Sequence, residues 1–346
     1  MRWSHVRLEA IAYELPEERV TTAELESRLA PLYQTLRIGG GQVQALTGIR
    51  ERRFWPRGPV MSECAAKAGK KALAMAGLSG SELGAVIYAG VCRDNLEPAT
   101  ACAVAHSLGA PPDALVFDLA NACLGVLNGM VEIANKIELG QIKAGIIVSA
   151  ESSREIVETT IARMLKDPTL ERFRLCLATM TGGSGAVAVV LTSDEISRTQ
   201  RKLVGGAALA ASEHHKICRW GPESGLLGET PNLMETDASQ VMVHGINLGK
   251  RTWARFLEST GWQRQEVDKV ICHQVGSGHR RNVLETIGVD LAKDFSTFEL
   301  LANIGTVSVP LTAARANEDG FLLAGDKVGL LGIGSGLNCL MLGVQW

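Results

Sequence analysis

An α/β fold made of one helix–strand unit used twice is predicted by three observations on the 346-residue sequence. Short aliphatic or β-branched runs alternate with helical patterns, as in strands connected through helices. Several of those runs are apolar on both faces, which places them in a sheet covered on both sides. Two segments also recur at one spacing. Gly77-Leu-Ser-Gly-Ser-Glu-Leu-Gly-Ala-Val-Ile-Tyr-Ala matches Gly261-Trp-Gln-Arg-Gln-Glu-Val-Asp-Lys-Val-Ile-Cys-His without a gap, 184 residues on. Lys143-Ala-Gly-Ile-Ile-Val-Ser matches Lys327-Val-Gly-Leu-Leu-Gly-Ile at the same offset. Equal offsets favour a duplication over coincidence. Two halves follow, 1–195 and 196–346, meeting in the polar stretch Ser193–Lys202. Segments 151–180 and 211–243 fit the repeat poorly and read as insertions.

In chain order, Ser62–Ala76 reads as a helix with Ser62 as N-cap and Gly77 as C-cap. Strands are expected at Ala85–Ala89 and Leu115–Leu119, then a helix over Leu124–Leu139 ended by Gly140. Further strands follow at Ala144–Ser149, Ala186–Leu191 and Lys269–His273, and a helical run at Val307–Ala316. The stretch Val328–Trp346 carries no charge and is nominally long enough to span a bilayer. Five glycines plus Ser335, Asn338 and Gln345 divide it into two buried strands, Val328–Ile333 and Leu340–Val344, around a Gly-rich turn. A soluble protein is expected.

Composition narrows the function. Hydrophobic residues are 46%, enough for a sizeable core, and 21% charged residues with a net charge of −2 exclude disorder and a basic nucleic-acid surface. Aromatics at 5% make a base-stacking platform unexpected. Glycine is abundant, 37 residues against a usual share of ~7%, and is scattered among apolar residues rather than gathered in linkers. Eight cysteines with no C-x-x-C pair, and an N-terminus without an apolar run, suggest free thiols in a reducing cytoplasm. No phosphate-cradling Gly motif, no G-x-S-x-G and no H-E-x-x-H is present, so neither a nucleotide cofactor nor a metal is expected. The adjacent His214 and His215 read as part of a solvated loop.

Three residues remain as candidates. Cys123 follows the Leu115–Leu119 strand at the start of a helix, where the helix dipole favours thiolate. His273 ends a second-half strand, the place where sites form in α/β sheets. Asn303 precedes an apolar helix and lies 180 residues after Cys123, so its loop is the repeat-related counterpart of the Cys123 loop. Each has a plainer reading by itself: a buried small hydrophobe, a satisfied sheet-edge histidine, a turn or cap residue. The duplication brings all three to one face.

With these residues in view, the sequence resembles the thiolase-superfamily condensing enzymes of the ketoacyl-ACP synthase III type, and within them the OleA branch. The likeness rests on Arg93-Asp-Asn-Leu-Glu-Pro-Ala-Thr, Asn121-Ala-Cys-Leu, His273-Gln-Val, Asn303-Ile-Gly and Leu331-Gly-Ile-Gly-Ser-Gly-Leu-Asn-Cys. It implies the thiolase fold, five layers ordered αβαβα, and a catalytic set of Cys123, His273 and Asn303. Cys123 would be the nucleophile, and the N–H groups of Cys123 and Ser335 would form the oxyanion hole. Glu97, in Leu-Glu-Pro, would be the base that removes an α-proton, reaching across a homodimer into the other subunit's site. The activity implied is condensation of two long-chain acyl-CoAs as substrates, without a cofactor, feeding downstream enzymes of olefin synthesis. Alternatives are a decarboxylating synthase that consumes malonyl-thioester, a pyrone- or ketone-forming relative, and an inactive acyl-binding partner. The intact Cys, His, Asn and Glu argue against the last.

Overall fold

The computed structural model describes residues 1–222 and 232–346. Its main sheet contains strands β1 (Val6–Glu14), β2 (Ala85–Ala89), β3 (Leu115–Leu119), β4 (Ala144–Glu151), β5 (Gly185–Ser193), β6 (Lys202–Ala210), β7 (Lys269–Cys272), β8 (Lys327–Gly334) and β9 (Asn338–Gln345). Their spatial order is β7-β8-β9-β6-β1-β5-β4-β2-β3. From β3 inward to β1 the pairings run parallel, parallel, antiparallel, antiparallel. From β7 inward to β6 they run parallel, antiparallel, antiparallel. A single parallel bridge between Val270 and Asp294 stands outside β7, where β3 stands outside β2. The two sets of strands meet through one antiparallel register pair, Arg7 with Lys202.

Helices α1 (Met61–Ala76) and α2 (Thr100–Leu108) cover one outer face, packing Ala65, Ala68, Ala72 and Val104 against β1, β2, β4 and β5. Helix α3 (Gly125–Glu138) packs Val126, Met130 and Ile133 into a central core. That core also holds residues of α8 (Ser308–Glu318) and the inner faces of β5, β8 and β9. On the far face, α6 (Ala238–Thr260) and α7 (Ser277–Ile287) pack Trp253, Phe256 and Leu284 over β7 and β9. The layers therefore read αβαβα, with β2, β4 and β5 buried along their whole length, as runs apolar on both faces require. Among the described residues, no helix is long and apolar enough to cross a membrane.

The seven strands expected from sequence are present with ends shifted by a few residues, and Val328–Trp346 is a β-hairpin. The turn before β2 and the turn before β7 are closed by the same device. Ser79 N donates to Glu82 (2.7 Å) and Gln263 N donates to Glu266 (2.6 Å), both in capping boxes. Ser62 is not an N-cap. Helix α1 starts at Met61, and its free N–H groups at Met61 and Ser62 donate to the carboxylate of Asp94 (2.6 and 3.2 Å). An acceptor from a distant loop replaces the local cap. Segment 151–180 carries helices α4 (Arg154–Lys166) and α5 (Leu170–Cys176). In segment 211–243, a two-stranded ribbon pairs Cys218–Pro222 with Asn232–Thr236, and residues 223–231 lie outside the described residues.

Candidate active site

Strand β3 ends at Leu119, and the chain turns sharply before entering α3. The turn is made by Ala122, whose φ of +44° is costly for a residue with a Cβ. Cys123 follows it, at the head of the helix. Asn303 is set up in the same way, after Ala302 at φ +60°. Its backbone is clamped on both sides: Asn303 N donates to Thr181 O and Gly183 N donates to Asn303 O, each at 2.8 Å. Val126 N in α3 then donates to Thr306 Oγ1 (2.7 Å), fastening the Cys123 and Asn303 loops together.

The turn between β8 and β9 closes the third side. A Cβ on Gly332 would come within 2.5 Å of Leu124, and one on Gly334 within 3.3 Å of the Cys123 amide nitrogen. A side chain at either position would have to displace the Leu124 side chain or crowd the Cys123 amide. Ser335, between Gly334 and Gly336, lines the same space as Cys123, and its hydroxyl donates to the Cys218 thiol (3.0 Å).

Two cavities meet at Cys123. One, about 270 Å³, is lined by Cys123, Glu151, Ser153, Thr179, Asn303 and Thr306. The other, about 160 Å³ and mostly apolar, is lined by Cys123, Met242, Ile246, His273, Asn303 and Ile333. Cys123, Asn303, Ser335 and Cys218 belong to both walls. The structure thus brings Cys123, His273, Asn303 and Ser335 together. It does not bring Glu97 to them: Glu97 is exposed on the loop between β2 and α2, next to the 69% exposed Leu96, and lines neither cavity.

Burial decides the protonation states. The helix position of Cys123 was expected to favour thiolate, but burial pushes the thiol up to about 12, with Cys218 and Glu151 adding to the rise. At rest it is a neutral thiol, because desolvation outweighs the helix terminus. His273, just beyond the end of β7, is brought down to about 3 by burial, with His279 adding to the effect. His279, on α7, falls to about 4 through burial. The Nδ1 atom of each lacks a hydrogen-bond partner. Both imidazoles are therefore neutral at physiological pH. In the unfolded chain they bind protons from about pH 6.5, so stability falls as pH drops from there toward 4. Thermal melts should show a shallower acid loss in His279→Gln than in wild type, and equal slopes would contradict this assignment.

Sequence reasoning missed four residues here. Glu151 and Cys218 line the larger cavity beside Cys123, and His279 lines the smaller one beside His273. Gln274, 2% exposed, accepts from Thr297 N (2.7 Å) and Phe298 N (2.9 Å), steadying the chain that leads to Asn303. His214, read as solvated, stacks on His244 at 3.6 Å. Among the described residues, no cluster of three or more metal-ligating side chains occurs.

Comparison with known proteins agrees with this architecture. Residues 257–346 match the model of the 3-oxoacyl-[acyl-carrier-protein] synthase III C-terminal family. An acyl-CoA:acyl-CoA alkyltransferase of Shewanella oneidensis is 52% identical over the full length of both chains, and one of Xanthomonas campestris 35% identical, also over both full lengths. A beta-ketoacyl-[acyl-carrier-protein] synthase III of Rhodospirillum rubrum is 28% identical over 94% of each chain. The crystal structure of an alanine variant of Xanthomonas campestris OleA superposes with a TM-score of 0.94, covering 100% of this chain and 98% of that one. A serine variant of that protein, with bound lauric acid and lauroyl-CoA, superposes at 0.93, covering 99% and 100%. Identity of this extent over whole chains, on the thiolase fold just described, means that the protein belongs to the acyl-CoA:acyl-CoA alkyltransferase (OleA) family, among the relatives of ketoacyl-ACP synthase III.

Proposed function

We propose that the protein joins two long-chain acyl-CoAs by a non-decarboxylative Claisen condensation; the use of two acyl-CoAs is supported by the names of its relatives, acyl-CoA:acyl-CoA alkyltransferases. The observation that carries this reading is the pair of cavities meeting at one half-buried thiol, room for two acyl groups at a single reacting atom. In the first half-reaction the Cys123 sulfur attacks the thioester carbonyl, CoA leaves as its thiol, and an acyl-enzyme forms. Because the resting thiol is neutral, its proton moves as the S–C bond forms, and the neutral His273 imidazole in the same cavity is able to accept it. The N–H groups of Cys123 and Ser335 steady the oxyanion, a role supported by the close approach of Gly334.

In the second half-reaction Glu97 of a homodimer partner takes the α-proton of a second acyl-CoA. His273 and Asn303 hydrogen-bond the enolate oxygen. The carbanion attacks the acyl-Cys carbonyl and the Cys123 sulfur departs. The product is a 2-alkyl-3-ketoacyl-CoA, or the β-keto acid after hydrolysis, passed to downstream enzymes. We further infer that the chain is one α/β unit used twice, divided near 195/196, a reading supported by the matching strand pairings and capping boxes. A reducing cytoplasm suits its eight free cysteines.

Incubation with a single long-chain acyl-CoA, with and without malonyl-CoA, tests the activity by product mass. Condensation without malonyl-CoA and without CO₂ release is expected. Product that appears only with malonyl-CoA, or a Cys123→Ala variant that still acquires an acyl adduct, overturns the assignment.

A further inference from the structure

One buried acid beside the thiol has no part in the chemistry above. Glu151 ends β4, is 4% exposed, and lines the larger cavity together with Cys123 and Asn303. Its two carboxylate oxygens accept from Val91 N (2.9 Å) and Cys92 N (3.2 Å). A Cβ on Gly305, in the Asn303 loop, would lie 3.4 Å from its Cγ. Burial raises the Glu151 pKa, with the two N–H groups opposing the rise. A buried acid that accepts two backbone N–H groups fixes the chain that carries them.

What it holds is the start of the Glu97 loop. That loop leaves β2 through Val91 and Cys92 and ends at Thr100, the first residue of α2. Carboxylates fasten it at three points. Asp118 takes the N–H groups of Thr100 (3.0 Å) and Ala101 (2.8 Å) at its far end. Asp94 ties its middle to the start of α1. Of the three acids, only Glu151 also faces the reacting centre.

We propose that Glu151 is a positioning residue that sets the Glu97 loop against the wall of the cavity holding Cys123. This rests on the two-step condensation described above. The second half-reaction then depends on Glu151 more strongly than the first, which it touches only as a neighbour of the thiol. Since the loop delivers Glu97 to the other subunit, the anchor sits in one site and its effect is read in the other.

The test compares Glu151→Gln with wild type and Glu97→Gln in both half-reactions. The amide oxygen can still accept one N–H, but the amide nitrogen cannot accept the other. Acylation of Cys123 by acyl-CoA, followed by intact-protein mass, should change by less than condensation does, since Glu151 borders the thiol but acts on the second step through the loop. Release of condensed product should fall at least about 10-fold, in the direction of Glu97→Gln. Acylation also reports that the variant is folded. If Glu151→Gln does not fold, Val91→Pro removes one of the two loop donors from the other side and should give the same split. Equal losses in the two half-reactions, or undiminished condensation, overturn the proposal. A wild-type enzyme that forms no product from acyl-CoA alone refutes the two-step reading instead, and a fully active Glu97→Gln refutes the role given to Glu97.

Discussion

Cys123→Ala and Glu97→Gln subunits, each losing condensation by on the order of 10³-fold or more when assayed alone, are expected to recover about one quarter of wild-type activity when co-expressed. Random pairing makes half of the dimers mixed, and a mixed dimer has one site with both an intact thiol and an intact carboxylate. The expectation comes from geometry. Glu97 sits on an exposed loop with Leu96 and Val91, apolar side chains 69% and 39% exposed, and lines neither arm of its own cavity. An acid placed there can serve a second copy of the chain. If Glu97 acted within its own subunit, no mixed dimer would hold a complete site and the mixture would stay inactive. Native mass spectrometry of the mixture separates that outcome from a failure to pair.

The largest loss of stability is expected from Arg52→Met. Arg52 is 0% exposed, in the ribbon that pairs Glu18–Thr21 with Glu51–Phe54. Its guanidinium donates to Met180 O, to Gly182 O (3.2 Å) and to Thr22 Oγ1 (2.8 Å). Burial brings its pKa down to about 10, with Glu26 opposing, so it remains charged at neutral pH. A methionine fills much of the space but leaves buried acceptors without donors, at about 1–3 kcal/mol each. A fall in Tm of roughly 5–10 °C follows. Arg52→Lys should recover only part of it, since one ammonium cannot match the fork geometry of three acceptors. The site should suffer too. The strand of chain that Arg52 holds includes Thr181, whose carbonyl receives Asn303 N. An unchanged melting curve would show that these carbonyls find other donors.

Much of this arrangement was legible in the sequence wherever the signal was local. Runs such as Ala85–Ala89 and Ala144–Ser149 are apolar on both faces because helices cover both faces, so composition located them. The loops of Cys123 and His273 follow the strands Leu115–Leu119 and Lys269–Cys272, so local pattern located them, whereas Asn303 follows the short helix Phe298–Leu301. What stayed hidden depends on distant partners. Strand β1 carries Glu9 in its middle, a residue that argues against a buried strand. The structure satisfies that carboxylate with Thr192 Oγ1, Ser197 Oγ and Arg198 N (2.6–2.9 Å), at a shift in the β1–β5 register. Strand β6, Lys-Leu-Val-Gly-Gly-Ala-Ala-Leu-Ala, has little β-propensity and is held by its neighbour β9. The Asp94 carboxylate that starts α1 and the Glu151 carboxylate beside Cys123 are both distant in sequence from the groups they bind. The state of the Cys123 thiol was misjudged for the same reason, since desolvation is a property of the surroundings rather than of the helix it begins.

The strands on the two sides of the site are joined in very unequal ways. Between β4 and β5 the chain spends residues 152–184 on helices α4 and α5, whereas β8 returns to β9 through residues 335–337 alone. The short turn is pinned at Gly334 against the Cys123 amide and at Gly336 with φ +136°, so lengthening it would move the Ser335 amide off the reacting centre. The long connection meets that centre at its two ends, through Ser152, Ser153 and Ile156 at the start and Ala178, Thr179 and Thr181 to Gly183 at the finish, while the middle of it packs Ile161, Met164 and Phe173 into a separate core. Adaptation to new acyl chains therefore has its raw material on one side of the molecule. Lineages that diversify their substrates should vary in sequence and length across 157–177 while 335–337 and the anchored residues 180–183 stay frozen, a molecule inventive on one flank and conservative on the other.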